Sequence, residues 1–277
     1  MADSVDWVSD FGGRPIHWRE SPGTGPAVVL VNGCGLASEH WAEVVRLLPG
    51  RQVVRFDRPG MGGTRWPGTL PTLAEEVASL AELVAAVGAP ALLVAHSMAG
   101  FHVEAVARRH PELVAGLVLV DGSVEFLTRP PRQRGPGLAL GVRRLAGALP
   151  RLHLGTLVHR VGATWQSYQR NLGHDWDDRF SQLYDDPDAV AMGAAESVAY
   201  WQQAWDLLQL RAERPLPEIP VLVLTAADPG GERDWLSRQR RLARLLEGRH
   251  LVVEHSRHLM MIDRPDAISE AVEALLR

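Results

Sequence analysis

The sequence predicts an α/β protein: a mostly parallel, doubly wound sheet with a helical insertion. Three observations predict it. Short apolar runs recur at residues 27–32 (AVVLVN), 52–57 (QVVRFD), 91–95 (ALLVA), 116–121 (GLVLVD), 221–225 (VLVLT) and 250–254 (HLVVE). They are continuous rather than alternating, as strands covered on both faces are, and helix-spaced segments between them supply the crossovers that parallel strands need. The alternation then breaks near residue 123 and resumes at residue 220, with no strand-like run between.

Each element carries its own signal. Residues 5–9 and 15–20 suit a leading antiparallel hairpin turning at Gly12-Gly13. Residues 38–48 have helical spacing, with Ser38 placed as an N-cap and Pro49-Gly50 as a stop. Residues 72–87 form a helix opened by a Thr72/Glu75 capping box and closed by Gly88. Residues 98–110 form a helix ending before Pro111. Within the insertion, residues 156–171, 176–184 and 188–211 read as helical. Helices at 233–247 and 265–276 complete the core.

Composition removes several classes of function. With 46% hydrophobic and 22% charged residues, the chain has the make-up of a folded globular protein rather than a disordered one. All 29 basic residues are arginine, so neither a Walker phosphate loop nor a pyridoxal Schiff base has its lysine. A single cysteine, Cys34, excludes an intramolecular disulfide, a CxxC redox pair and a thiolate zinc cluster. The net charge of -4 argues against a dedicated nucleic-acid binder. No apolar run approaches the roughly 20 residues that span a bilayer, and the acidic start of the chain lacks the apolar core of a signal peptide. The expected location is the cytoplasm, without stable membrane insertion.

Chemistry concentrates at residues 91–100, ALLVAHSMAG. A strand runs into a turn at Ser97 and a helix leaves at once. Such a turn lifts the hydroxyl clear of the backbone and leaves room only for small residues two positions before and after it; Ala95 and Ala99 meet that need. The helix beginning at Met98 aims its N–H groups and the positive end of its dipole at the serine. Serine is a weak nucleophile and needs a base. His258 follows the 250–254 strand by a short loop, on the rim where strand C-terminal ends gather, and His255 is its rival closer to the strand. The orienting carboxylate is expected at Asp228, after the 221–225 strand, with Asp121 at the end of 116–121 as the alternative. The segment 31–35 (VNGCG) follows the first core strand, and its two glycines free the backbone to turn N–H groups inward. The backbone amides of Cys34 and Met98 are therefore the expected oxyanion donors. The Cys34 thiol is read as a small hydrophobe lining the pocket rather than a nucleophile.

These segments, in this order, resemble the α/β-hydrolase superfamily over nearly the whole chain. The counterparts of the family's motifs are Asn32-Gly33 for the oxyanion segment, residues 57–62 (DRPGMG) for the glycine-rich turn, residues 95–99 (AHSMA) for the nucleophile elbow, then Asp228 and His258. Asn32 stands where the family has histidine, and Ala95 and Ala99 stand where it has the elbow glycines. The resemblance implies a core of residues 1–122 and 216–277 with residues 123–215 as a helical cap over the site. The serine nucleophile sets the chain apart from the family's dehalogenases and epoxide hydrolases, which use aspartate there.

The expected function is a serine hydrolase that cleaves a carboxylic ester of a small or apolar substrate through an acyl-enzyme, with no metal or organic cofactor. The same three side chains serve thioester, lactone or carbon–carbon cleavage, or lyase chemistry, and a ligand receptor on the same scaffold is the non-catalytic alternative. In the insertion, residues 126–174 hold eight arginines and no acid, while residues 175–218 hold ten acids and three arginines, so the halves are expected to neutralise each other, with a basic surface for membranes or acidic ligands as the alternative. Trp165, Trp176, Trp201 and Trp205, with Tyr168, Tyr184 and Tyr200, are expected to hold the cap's helices together, or to give an apolar pocket where they face inward. Residues 137–152 are apolar and glycine-rich, and the stretch from about 128 to 155 is expected to gate substrate entry.

Overall fold

The computed structural model describes residues 5–128, 141–142, 162, 165–168, 180, 183–228 and 233–277. Its eight strands are β1 (Val5–Phe11), β2 (Arg14–Ser21), β3 (Thr24–Val31), β4 (Arg51–Asp57), β5 (Ala91–His96), β6 (Val114–Val120), β7 (Val221–Ala227) and β8 (Arg249–Glu254). They form one sheet in the order β1-β2-β4-β3-β5-β6-β7-β8. β2 pairs antiparallel with both neighbours, and every pairing from β4 to β8 is parallel. The leading hairpin turns where both central residues must take positive φ, and Gly12 (+63°) and Gly13 (+73°) supply it.

Among the described residues, the α-helices with defined bounds are α1 (Ala42–Arg46), α2 (Leu73–Val87), α3 (Ala99–Arg109), α4 (Pro187–Glu213), α5 (Arg233–Leu245), α6 (Met260–Asp263) and α7 (Pro265–Leu275). The continuous apolar strands are explained by what they meet. Val29 and Val31 of β3 join a core with Leu80 of α2, Val103 of α3, Leu207 of α4 and Leu242 of α5. Val28 and Leu30 face the other way, against Val44 of α1, Met261 of α6 and Ile268 of α7. Leu30 and Leu93 have no exposed surface, and burying such a side chain contributes about 1.5–3 kcal/mol.

Local signals set the ends of several elements. Thr72 and Glu75 form the capping box at the start of α2, and Asp186 accepts from the Asp188 N–H at the start of α4, where Pro187 holds the first position. The expected single helix over 38–48 is instead a short 3-10 turn, Ser38–Trp41, followed by α1. Ser38 caps nothing. Its N–H and hydroxyl both donate to the buried Asp57 carboxylate, at 2.6 and 2.8 Å, and so are spent on β4.

From the insertion, α4 docks through polar as well as apolar contacts. Gln203 Oε1 lies 2.7 Å from His102 Nε2, and Arg211 donates to Glu104 at 2.7 and 2.8 Å, so α4 is tied to α3, the helix that leaves the elbow. Of the aromatic residues expected to bind the cap together, Tyr184 is buried, Trp165 and Trp201 are exposed, and Trp176 lies outside the described residues. Nearly all of the arginine-bearing stretch and of the expected gate at 128–155 also lie outside them. No helix among the described residues is long and apolar enough to cross a membrane.

Candidate active site

The strand order reverses between β3 and β5: the chain steps from β3 outward to β4 and then back to the other side of β3. At such a switch point the loops after the two central strands diverge and leave a crevice at their C-terminal ends. The segments 32–35 and 97–98 are those two loops.

Ser97 sits at the turn with φ +55°, a left-handed conformation that costs a side-chain-bearing residue about 1–2 kcal/mol. The turn is held from both sides. Ser97 N–H donates to Val120 O of β6 at 3.1 Å, and Ser97 O accepts from Gly100 N and Ser123 N at 3.0 Å each. Ala95 and Ala99 are fully buried, so they occupy the places of the elbow glycines without room to spare. Met98 precedes the first residue of α3.

His258 Nε2 lies 3.0 Å from Ser97 Oγ, and its Nδ1 lies 2.7 Å from Asp121 Oδ2. A carboxylate only accepts, so the network assigns the imidazole proton to Nδ1 and leaves Nε2 to accept from the serine hydroxyl. The loop carrying His258 is fastened by its backbone. His96 Nε2 is 2.8 Å from His258 O, Leu259 N–H donates to Gln166 O at 2.8 Å, and Arg257 N–H donates to Asp263 at 2.8 Å. Burial, and then the neighbouring His258, hold the His96 imidazole well below its ordinary pKa, so it is neutral and its Nε2 proton is available for that carbonyl. His255 is exposed, with φ +55°, and is not the residue that meets Ser97.

The carboxylate is where the structure departs from the expectation. Asp228 does not reach His258. It accepts from Arg257 Nε at 3.0 Å and from the Tyr168 hydroxyl, and it is partly exposed. Asp121, the alternative, holds the position instead. It is buried at the end of β6 with φ +44°, and its second oxygen accepts from Ala226 N at 3.1 Å and Trp235 Nε1 at 2.8 Å. Both acids stand on the same rim. Asp121 follows the strand beside β5, whereas Asp228 follows the next one out and is captured by Arg257 and Tyr168.

The loop after β3 lies against the nucleophile. A Cβ on Gly33 would come within 3.0 Å of Ser97 Cβ and 2.5 Å of His96 Nδ1, so only glycine fits there. Asn32 is buried and anchors the loop from below: its amide donates to Phe56 O at 2.9 Å, and its carbonyl accepts from Trp41 Nε1 at 2.7 Å. It therefore points into the core. Arg58, from the glycine-rich turn, donates to Asn32 O at 2.6 Å and Gly33 O at 2.7 Å. Glu196 of α4 accepts from Arg58 Nε and, through its other oxygen, from Gly35 N–H at 2.6 Å. The motif around residue 57 marks Arg58, but nothing in the sequence marks Glu196, an acid within a helix 138 residues further along the chain. Burial, with Glu196 beside it, pushes the Cys34 thiol up to about 11, so it stays protonated and is no nucleophile at neutral pH. Among the described residues, no cluster of His, Cys, Asp or Glu is arranged to hold a metal ion.

A buried carboxylate, an imidazole and a strained, partly exposed serine hydroxyl in one hydrogen-bonded line can deliver an alkoxide-like nucleophile to a carbonyl carbon and return the proton to the departing group. Comparison with known proteins bears on the family. Pimeloyl-[acyl-carrier protein] methyl ester esterase of Sodalis glossinidius is 40% identical over 115 residues, which cover 40% of this chain and 42% of that protein. The match thus spans less than half the length of that relative. The protein of the same name from Aeromonas hydrophila is 27% identical over 91% of this chain and 95% of its own. Among solved structures, Cfl2 of Burkholderia cenocepacia superposes with a TM-score of 0.77 at 21% identity, covering 98% of this chain and 95% of that one. The family described as alpha/beta hydrolase fold matches residues 26–265, which span both loops of the crevice, the elbow and His258, and the chain belongs to that family.

Proposed function

We propose that the protein is a serine hydrolase of carboxylic esters, with Ser97 as nucleophile, His258 as general base and acid, and Asp121 as the orienting carboxylate. The observation that carries this is the unbroken line Asp121–His258–Ser97, at 2.7 and 3.0 Å, on a strained elbow. Ser97 Oγ attacks the acyl carbon as its proton passes to His258 Nε2. The carbonyl oxygen becomes an oxyanion and is stabilised by the backbone N–H groups of Cys34 and Met98. Collapse of the tetrahedral adduct expels the alcohol, which takes the proton from His258. Water, deprotonated by the same nitrogen, then releases the acid and restores Ser97. Asp121 holds the imidazole in the tautomer this needs. Residues 123–215 act as the cap over this crevice.

The names of the curated relatives support an ester, and within esters a methyl ester, as the bond cleaved. The test is labelling with a fluorophosphonate followed by a panel of methyl, longer-chain alkyl, thio- and lactone esters. The expected result is a single adduct on Ser97, none on a folded Ser97→Ala variant, and preference for carboxylic esters. Labelling elsewhere, or turnover by Ser97→Ala, overturns the serine mechanism; a lactone or thioester preference overturns the substrate class alone.

A further inference from the structure

Arg58 and Glu196 are charged and almost completely buried, at 3% and 1% exposure. Such a pair gains little stability over well-packed apolar residues, because desolvation offsets most of its attraction. Burial works against both charges. The carboxylates of Glu196 and Glu76 nevertheless keep Arg58 firmly protonated. The pair spends its hydrogen bonds on one object, the loop after β3. Arg58 takes the carbonyls of Asn32 and Gly33, and Glu196 takes the N–H of Gly35.

The geometry of the peptide bond turns these contacts into a statement about direction. In a planar trans peptide the C=O and N–H point opposite ways. The peptides here are trans, since the one cis bond recorded among the described residues is Ala89–Pro90. Drawing Gly33 O to Arg58 therefore throws the Cys34 N–H away from Arg58, and drawing Asn32 O there does the same to the Gly33 N–H. Gly33 itself packs against Ser97. Glu196 meanwhile occupies the Gly35 N–H, so the loop presents its donors at one place rather than several. α4 closes on the loop at the same point, where a Cβ on Gly35 would be 3.5 Å from Gly193 Cα, and Tyr184, which precedes α4, donates its hydroxyl to Gly35 O at 3.1 Å.

We propose that Arg58 and Glu196 are positioning residues that clamp the oxyanion loop in its donor orientation, with Glu196 coupling that orientation to the insertion helix α4. The proposal rests on the reading of the Cys34 N–H as an oxyanion donor. Glutamine at position 196 keeps the shape but has one acceptor oxygen for two donors, so either Arg58 Nε or Gly35 N–H meets an NH2 group. A displacement of about 1 Å at such a site costs on the order of 10²-fold in rate.

The experiment compares wild type, Glu196→Gln and Arg58→Lys, with thermal unfolding as the check on folding. Wild type is first labelled with a fluorophosphonate. Its failure to label at Ser97 sinks the serine reading, and the clamp with it. With labelling in place, Glu196→Gln is expected to lower kcat on the order of 10²-fold with KM changed less than about threefold. Affinity for a trifluoromethyl ketone, which forms a tetrahedral oxyanion adduct on serine, should fall in parallel, while affinity for the planar product carboxylate stays. A folded Glu196→Gln enzyme with wild-type kcat, or one whose ketone and product affinities fall together, overturns the clamp while leaving the serine mechanism intact. Arg58→Lys keeps a cation opposite Glu196 but cannot span both carbonyls; it is read by the same criteria where Glu196→Gln does not fold.

Discussion

Replacing Asp121 by asparagine should disable the site without disturbing the fold around it. Asparagine tolerates the left-handed backbone that Asp121 adopts at φ +44°. Its carbonyl oxygen can keep the bonds from Ala226 N and Trp235 Nε1, now 3.1 and 2.8 Å. Its NH2 group then stands 2.7 Å from His258 Nδ1, where a donor already is. The imidazole must turn Nδ1 into an acceptor and carry its proton on Nε2, which faces Ser97 Oγ at 3.0 Å and can no longer accept from it. A wrong tautomer of this kind lowers kcat by ~10³–10⁴-fold, or about 4–5 kcal/mol of transition-state stabilisation. Asp228→Asn removes an ion pair between partly exposed side chains, at 28% and 37% exposure. Such a pair is worth up to about 1 kcal/mol, so kcat should fall less than about fivefold. Steady-state hydrolysis of an activated short ester, with near-UV circular dichroism to confirm folding, measures both. The reasoning fails if Asp228→Asn costs more than Asp121→Asn, because the carboxylate would then act through a geometry other than the one described.

Three further outcomes are expected. His258→Ala should lose several powers of ten in kcat, whereas His255→Asn, at an exposed position whose φ of +55° asparagine accepts, should stay within about twofold of wild type; the reverse ranking would reassign the base. Gly33→Ala forces a Cβ to 2.5 Å from His96 Nδ1 and 3.0 Å from Ser97 Cβ, so it should lower both Tm and kcat, and wild-type turnover would mean the loop lies elsewhere. Burial holds His40 and His102 at about 4, against about 6.5 when unfolded, so the unfolded chain binds more protons between these values. Their contribution is intact above pH 6.5 and is lost as the pH falls toward 4, by up to about 3 kcal/mol for each histidine. Denaturant titrations at pH 7.5, 6 and 5 read this directly, and a stability flat across that range contradicts it.

The positions of the clamp residues give the insertion a second meaning. α4 belongs to the insertion. Through Glu196 it touches the loop after β3, and through Gln203 and Arg211 it touches α3, which starts at the elbow. A displacement of α4 would therefore act on both walls of the crevice at once.

The sequence by itself determined much that depends on spacing along the chain. Continuous apolar runs specified strands buried on two faces, Gly12-Gly13 specified the hairpin turn, and Thr72 with Glu75 specified where α2 begins. The small residues around Ser97 marked a tight strand-to-helix turn, and the loop after the last strand marked His258 as the histidine to face it. These are local matters, settled by dihedral preference and by neighbours a few residues apart. Tertiary structure alone showed which of Asp121 and Asp228 lies against His258. Both follow parallel strands and both reach the same rim, and position along the sequence favoured Asp228. The choice follows from which strand adjoins β5 and from Arg257 and Tyr168 engaging Asp228. It also decided Ser38, whose local preference for capping yielded to the stronger demand of a buried Asp57 carboxylate. Glu196 was beyond reach for the same reason: an acid on a helix announces itself as a solvated residue until packing buries it against Arg58, 138 residues away. Electrostatic partners are chosen by distance in space, and distance in space exists only once the chain has folded.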